Sequence, residues 1–321
     1  MQVFRNLSEI TPRLGPTVVS IGNFDGVHFG HQFILERLRQ SAAARAARSV
    51  AVTFDPHPLR FLRPETCPRL ITPLETRLEL LAGTGIDAVL VLPFTAELSR
   101  MRASEFVTAI VHDALHAVEV HEGINFRFGY RAEGGTAELI ELGQTLGFEV
   151  VIHAACQTRG ITCSSSKIRE LLAHGDIRTA RGLLGHNFFI DSTPARGRGI
   201  GSTLTVPTIN LAPYAELLPP HGVYVTQLRV GGEWFDAVTN VGIRPTFGPD
   251  SFAVESHLLN FRPIVLDEQT PLRLLFLRRL REERRWPSPE ALKEQIMRDV
   301  AQARRYLHLM RLLGTQTPES A

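Results

Sequence analysis

Cysteine is scarce: Cys67, Cys156 and Cys163 are odd in number, widely spaced and without a metal-ligand pairing, so the sequence has no disulfide framework. A reducing compartment is the expected home. No stretch of about 18 consecutive apolar residues occurs, and MQVFRNLSEI has no basic region followed by an uninterrupted apolar core. Secretion and membrane spanning are therefore disfavoured, and a cytoplasmic protein is expected. Neither sign of charge dominates: 35 Lys plus Arg against 33 Asp plus Glu leave a net +2, which gives no warrant for bulk nucleic-acid binding. The basic residues are nearly all arginine, which fits repeated contact with phosphates or carboxylates and equally fits base composition in the gene. HExxH is missing, so nothing supports a zinc site.

What is there is 321 residues with 44% apolar and 21% charged side chains, enough for two globular domains that each bury a core. The sharpest chemistry lies in residues 18–38, VVSIGNFDGVHFGHQFILERL. Val18, Val19 and Ile21 suit a buried strand, Gly22 and Gly26 allow a tight turn, and Phe33, Ile34 and Leu38 recur at helical spacing. This is half of a β-α nucleotide-binding unit. In such a turn exposed amides and the positive helix end favour an anion, and glycine permits phosphate to approach the backbone. His28 and His31, three apart across the first helical turn, can share a face and donate to phosphate oxygens. They would hold and polarise a triphosphate while an external phosphate attacks the α-phosphorus, with no histidine nucleophile. The same residues read alternatively as surface histidines, or as a metal site of His28, His31 and Asp25.

GNFDGVHFGH resembles the nucleotide signature of the bifunctional riboflavin kinase/FAD synthetase family of prokaryotic type, whose N-terminal module resembles HxGH nucleotidyltransferases. The resemblance implies a Rossmann-like α/β module, residues 1–185, with FMN adenylyltransferase activity. It then implies a small antiparallel β-barrel riboflavin kinase module with a C-terminal helix, residues 186–321. By the same match Gly22, Phe24, Asp25 and Gly26 belong to the nucleotide turn.

Along the first module, a helix is expected from His31 to about Arg48 and a strand over residues 50–54. The TFDPHP loop follows, where proline restricts its neighbours and His57 is a loop anchor or a nucleotide contact. Residues 74–81 read as helix, 88–92 as strand, 103–115 as helix and 117–120 as strand. The family's VGxD/NFxFG is matched by Asn125, Phe126, Phe128 and Gly129, where Asn125 suits a ribose, ring or phosphate group. Phe126 and Phe128 read as core or as ring contacts, and Glu122 stands where the family usually has an apolar residue. A helix through Leu146 and a strand over residues 148–153 complete the pattern. Ser164, Ser165 and Ser166 then offer a second helix entrance, resembling the family's SST/SxIR motif, with Arg169 its phosphate-binding arginine or a solvated helix charge.

Beyond residue 186 the runs become short and β-rich: 223–230, 234–241, 252–261 and 272–276. The Arg/Glu-rich segment from Arg278, followed by residues 289–309, reads as a terminal helix with a solvated face. Glycines Gly197, Gly199 and Gly201 suit a phosphate loop, and Thr208 with Asn210 offers oxygen ligands to Mg²⁺. Glu255 suits a base for a primary hydroxyl. PTIN, VTNVGIRPTFG and VESHLLNF resemble the kinase module's PTxN, NxGxRPTFG and EVHLLDF, which makes Thr208 and Asn210 carriers of Mg-ATP and Glu255 the base. Arg244 reads as a rigid turn or a residue closing on phosphates, and Trp286 as flavin cover or core. Ser192 and Pro194 depart from the family's first barrel strand, which a proline weakens.

The expectation is phosphorylation of riboflavin to FMN with Mg-ATP and adenylylation of FMN to FAD with release of pyrophosphate. The alternatives are an FMN adenylyltransferase with a degenerate, inactive barrel and a non-catalytic flavin- or nucleotide-binding regulator. Expected partners are the small molecules riboflavin, FMN and ATP, with no nucleic acid, no membrane, and a monomer or weak homo-oligomer.

Overall fold

The computed structural model describes residues 1–10, 14–195, 203–204, 208–243, 252–284 and 286–314. The chain divides into two compact units, Met1–Lys167 and Ile168–Ala321.

The first unit alternates strand and helix. In order it contains β1 (Gln2–Phe4), β2 (Thr17–Ile21), α1 (Phe29–Ala44), β3 (Arg48–Asp55), α2 (Pro58–Leu62), α3 (Leu74–Gly83) and β4 (Ala88–Pro93). Then come α4 (Ala96–Arg100), α5 (Ala103–Phe106) with π-helical winding continuing through Val107–Ala114, and β5 (Ala117–Gly123). The unit closes with α6 (Thr136–Leu146), β6 (Glu149–His153), the hairpin β7 (Gln157–Thr158) and β8 (Ile161–Thr162), and the start of α7 (Ser165–Ala173). Six strands pair in the order β1-β4-β3-β2-β5-β6, all parallel. β2 is buried along its whole length because both its faces are covered, so it carries apolar residues without alternation. One face packs Val19, Ile21, Val50 and Leu90 with Phe106 and Ile110; the other packs Val18, Ala51 and Val89 with Leu35, Leu38 and Leu81. Each such fully buried Val, Leu, Ile or Phe side chain contributes about 1.5–3 kcal/mol.

From β2 the chain steps outward through β3 to β4, then returns to lay β5 on the other side of β2. The strand order reverses between β2 and β5, and a crevice opens at their carboxyl ends. The β2–β5 ladder runs only from Thr17↔Ala117 to Val19↔Val120, so the two strands part before Ile21.

One boundary differs from expectation. α1 ends at Ala44, not near Arg48, and Ala46 takes φ 52 in the turn to β3. The alanine- and arginine-rich run has no helix breaker, so this end is set by the demand of β3 for Arg48 as its first residue beside Thr17.

The second unit holds α8 (Ile177–Leu184), β9 (Phe188–Ser192), β10 (Thr203–Leu204), β11 (Thr208–Asn210), β12 (Gly222–Val230), β13 (Glu233–Ile243), β14 (Phe252–Leu258), β15 (Ile264–Val265), β16 (Leu272–Arg281) and α9 (Pro289–Leu312). Six strands form one antiparallel sheet in the order β11-β14-β13-β12-β16-β9. Its two edges meet: Ala195 N–H donates to Asn210 O at 2.8 Å and Ala212 N–H to Thr193 O at 2.8 Å, which curls the sheet into a small barrel. Pro194 bridges Leu211 between these two bonds. Its neighbours make both ladder contacts, so its missing N–H leaves the closure intact. Asp191 adds an ion pair to Arg273 of β16 at 2.6 Å, with the guanidinium over the Phe189 ring.

β16 also corrects an expectation. Residues 278–281, read from their charges as the approach to a terminal helix, continue the strand opposite β12 with register shifts. Leu277 and Leu280 supply the apolar partners for α9, together with Val225 and Val238, and Arg278 lies over the Tyr306 ring of the same helix. Among the described residues no helix is long and apolar enough to cross a membrane.

Candidate active sites

The turn between β2 and α1 is wound tightly. Gly26 takes φ 80, and Phe24 and Val27 take φ 48 and 36, a conformation that costs a side-chain-bearing residue about 1–3 kcal/mol. Burial holds it in place: Phe24 and Val27 sit in the α1 face of the core. The Asp25 carboxylate is 1% exposed and accepts from Ile71 N–H (3.1 Å), Thr72 N–H (2.9 Å) and Thr72 Oγ1 (3.3 Å). Gly26 N–H donates back to Thr72 Oγ1 at 2.9 Å. Asp25 therefore welds the turn to residues 71–72.

His28 caps α1, its Nδ1 accepting from His31 N–H at 3.4 Å, so the proton of the neutral ring sits on Nε2. The two imidazoles stack with centroids 3.6 Å apart, and Phe24 meets His31 edge-on at 5.2 Å. A Cβ at Gly30 would come within 3.2 Å of the His28 ring, which would have to give by a few tenths of an ångström. Burial first, then His28 and Arg77, hold His31 well below the ordinary imidazole range. Its Nδ1 is buried without a hydrogen-bond partner among the described residues.

The second helix entrance lies beside this turn. Ser164 Oγ accepts from Lys167 N–H at 3.2 Å, and Ser165 Oγ donates to Asp25 O at 2.9 Å. Ser166 is exposed, and Arg169 follows one turn along the same helix. Asn125 stands exposed in the turn after β5, at the same end of the sheet. Phe128 is buried against Phe106 and stacks on Phe126 at 5.2 Å, so both rings pack in the core. His57 caps α2, its Nδ1 accepting from Leu59 N–H at 3.2 Å.

In the second unit a cavity of about 840 Å³ is lined by Thr208, Asn240, Glu255, His257, Trp286 and the start of α9. Register places the polar groups: Thr208 is opposite His257, and Glu255 lies between Asn210 and Asn240. Alternation points these residues to one face, while Ser256 joins the buried hydroxyl ladder Thr226, Thr239, Ser256 on the other. Thr208 Oγ1 and His257 Nδ1 are 3.3 Å apart. Trp286 lies under the Arg284 guanidinium at 3.9 Å. Asp299 of α9, 3% exposed, holds Arg281 of β16 at 2.9 Å and Gln295 at 2.8 Å.

Residues 11–167 match the family model described as FAD synthetase, and residues 184–307 match that described as riboflavin kinase. A bifunctional riboflavin kinase/FMN adenylyltransferase of Pseudomonas fluorescens is 37% identical over 95% of this chain and 97% of its own. The chain belongs to the bifunctional riboflavin kinase/FMN adenylyltransferase family. The Escherichia coli K12 member is 32% identical over 95% of this chain and 96% of its own. The crystal structure of a macrolide-efflux protein from Streptococcus pneumoniae has the same fold, with TM-score 0.80 and 25% identity over 94% of this chain and 98% of that one.

Within this family frame, Gly197, Gly199, Gly201 and Arg244 lie outside the described residues. Among the described residues no group of three or more His, Cys, Asp or Glu is arranged to hold a metal ion, and Asp25 is turned to the backbone of residues 71–72.

Two residues beside the first turn have roles that the sequence did not reveal. Arg77 of α3 is 1% exposed; Nη1 donates to Asn23 O at 2.6 Å and to Thr53 Oγ1 at 3.3 Å, and Nη2 to Phe54 O at 3.4 Å. It thereby holds the carboxyl ends of β2 and β3 together. Nothing in the helical pattern of LETRLELL distinguishes it from a surface arginine. Glu122 lies at the end of β5 and accepts from Ile21 N–H at 2.6 Å, where the parting strands would leave that donor unpaired. Its signal was visible as a carboxylate in an apolar position.

Proposed function

We propose that the chain catalyses two consecutive ATP-dependent steps: riboflavin to FMN in the barrel cavity, then FMN to FAD with release of pyrophosphate at the first turn of the parallel sheet. The functional modules are residues 1–185 and 186–321. The observation that carries the reading is the Ser165–Asp25 hydrogen bond, which ties a second helix entrance to the first turn, so that two anion-facing amide clusters serve one crevice. Such a divided grip lets the inner and outer phosphates of a triphosphate be held by different amide clusters.

In the adenylylation step, residues 22–26 receive the phosphates on backbone amides and Ser164, Ser165, Ser166 and Arg169 hold the outer ones. Asn125 meets the ribose or ring. His28 and His31 donate to phosphate oxygens as an FMN phosphate oxygen attacks the α-phosphorus and the bond to pyrophosphate breaks. Stacked rings disfavour a double positive charge, so His31 donates as a neutral imidazole.

In the phosphorylation step Glu255 accepts the proton of the riboflavin primary hydroxyl, whose oxygen attacks the γ-phosphorus as the bond to ADP breaks. Trp286 and the start of α9 cover the flavin. Thr208 and Asn210 present neutral hard oxygens on one strand face, a donor set that fits Mg²⁺ shared with ATP phosphates; the ion would neutralise phosphate charge. Gly197, Gly199, Gly201 and Arg244 would close on the nucleotide. Closure of the barrel across Pro194 supports an active kinase over a degenerate one. A cytoplasmic protein acting on small molecules, as a monomer or weak oligomer, fits this chemistry.

The test is incubation with Mg-ATP and either riboflavin or FMN, followed by separation of the flavins. FMN and FAD from riboflavin are expected. FAD only from supplied FMN would favour the inactive barrel, and no FAD from either would favour a regulator.

A further inference from the structure

The sequence separates Cys156 from Cys163, but the fold sets them face to face. Arg159 and Gly160, at φ 53 and 77, make a two-residue turn that pairs Gln157 with Thr162 and Thr158 with Ile161. Continuing that register puts Cys156 opposite Cys163, and Cys163 N–H donates to Cys156 O at 2.8 Å. Residues paired in this way have Cα atoms about 5.5 Å apart, inside the span of about 4.4–6.8 Å that a disulfide bridges. Residues opposite one another in an antiparallel pair send their side chains out on the same face, so the two thiols neighbour each other. Both are free; Cys163 is buried and Cys156 half-buried, so Cys156 is the thiol a small molecule meets first.

The pair is also coupled to the site. Cys163 directly precedes Ser164 and Ser165, the residues that cap α7 and bind Asp25 O. Its Cβ lies 3.6 Å from where a side chain on Gly30 would begin, so it packs on the backbone between His28 and His31. Thr158 Oγ1 contacts its sulfur at 3.4 Å, a contact that a new sulfur bond would displace. Drawing Cys163 toward Cys156 therefore moves the helix entrance against the first turn.

We propose that Cys156 and Cys163 are a modification site, a dithiol that a low-molecular-weight disulfide converts reversibly to a cross-strand disulfide, and that the oxidised protein transfers adenylyl groups more slowly. The effect on rate rests on the function proposed above; formation of the bond does not. The Cys156 thiolate attacks one sulfur of the small disulfide, its S–S bond breaks and one thiolate leaves. The Cys163 thiolate then attacks the Cys156 sulfur, the protein S–S bond forms and the second thiolate leaves. The cysteines lose two electrons and two protons, and the small disulfide becomes two thiols. Burial, and then the neighbouring Cys163, push the Cys156 thiol above the ordinary range, so oxidation accelerates with rising pH.

The test uses the full chain and oxidised glutathione. Expected are loss of two of the three free thiols and a peptide pair joined through Cys156 and Cys163 by non-reducing mass spectrometry. FMN adenylylation should fall about tenfold and riboflavin phosphorylation should stay unchanged, with recovery in dithiothreitol. Cys156→Ser should match the reduced parent and ignore the oxidant. Three persisting thiols, a bond to Cys67, glutathione adducts alone, or a joined pair with an unchanged rate would each overturn the proposal. If reduced protein makes no FAD from FMN, the rate effect falls with the functional reading, and the peptide map still decides whether the pair joins.

Discussion

Glu122 shows what a single buried carboxyl does at a strand divergence. Desolvation raises its pKa well above the ordinary 4.5, opposed in part by the Ile21 N–H bond. With a raised folded value, the unfolded chain releases its proton first, so the contribution to stability is full below about pH 4.5 and is lost as pH rises through the folded value. Glu122→Gln keeps the acceptor and cannot ionise. It should match the parent at about pH 4 and gain about 1–3 kcal/mol at about pH 8, read as Tm at both; a gain independent of pH would reject the account. His31 has the opposite sense: its lowered folded value leaves stability full above 6.5 and loses it as pH falls through that value. For Glu255, the isosteric Glu255→Gln should cut FMN formation by about 10²–10⁴-fold while FAD formation from FMN persists. Equal kinase rates would remove Glu255 as the base.

At the scale of elements, two contacts position the chemistry. Asp25 accepts three bonds that hold the β2–α1 turn to residues 71–72, and removing it strands buried N–H donors. Asp25→Ala should lose about 3 kcal/mol in denaturant unfolding and depress adenylylation more than phosphorylation. In the second unit, Asp299 binds α9 to β16 through Arg281. Asp299→Ala leaves that guanidinium half-paired beside the cavity. A cost of about 2–3 kcal/mol is expected, with a raised KM for riboflavin and an unaltered FMN adenylylation rate. Both elements were readable as elements, since strand and helix patterns were strong, but neither contact was. Asp25 read as part of the nucleotide turn, but the partners of its carboxylate lie 46 and 47 residues away and could not be read, and Arg77 read as one more charge on an amphipathic helix.

For the whole molecule, one proposed site in each module leads to the expectation that FMN made at one can reach the other through solution. A Glu255→Gln chain and a chain carrying His28→Ala and His31→Ala should each fail to make FAD from riboflavin. Mixed, they should make it, after a lag in which free FMN accumulates; no FAD from the mixture would show that the steps must share one chain.

The amino-acid sequence alone determined the architecture, the order of the modules and the family, because buried strands, glycine turns and the GNFDGVHFGH and PTIN blocks are local patterns. It also displayed the proline in the first barrel strand. Only the tertiary structure decided that the barrel edges pair on both sides of this proline, that β16 runs on to Arg281, that Asp25 and Arg77 face inward, and that Cys156 opposes Cys163. Each of these depends on which distant or folded-back backbone a residue meets, and register and burial are properties of that meeting, not of neighbours along the chain.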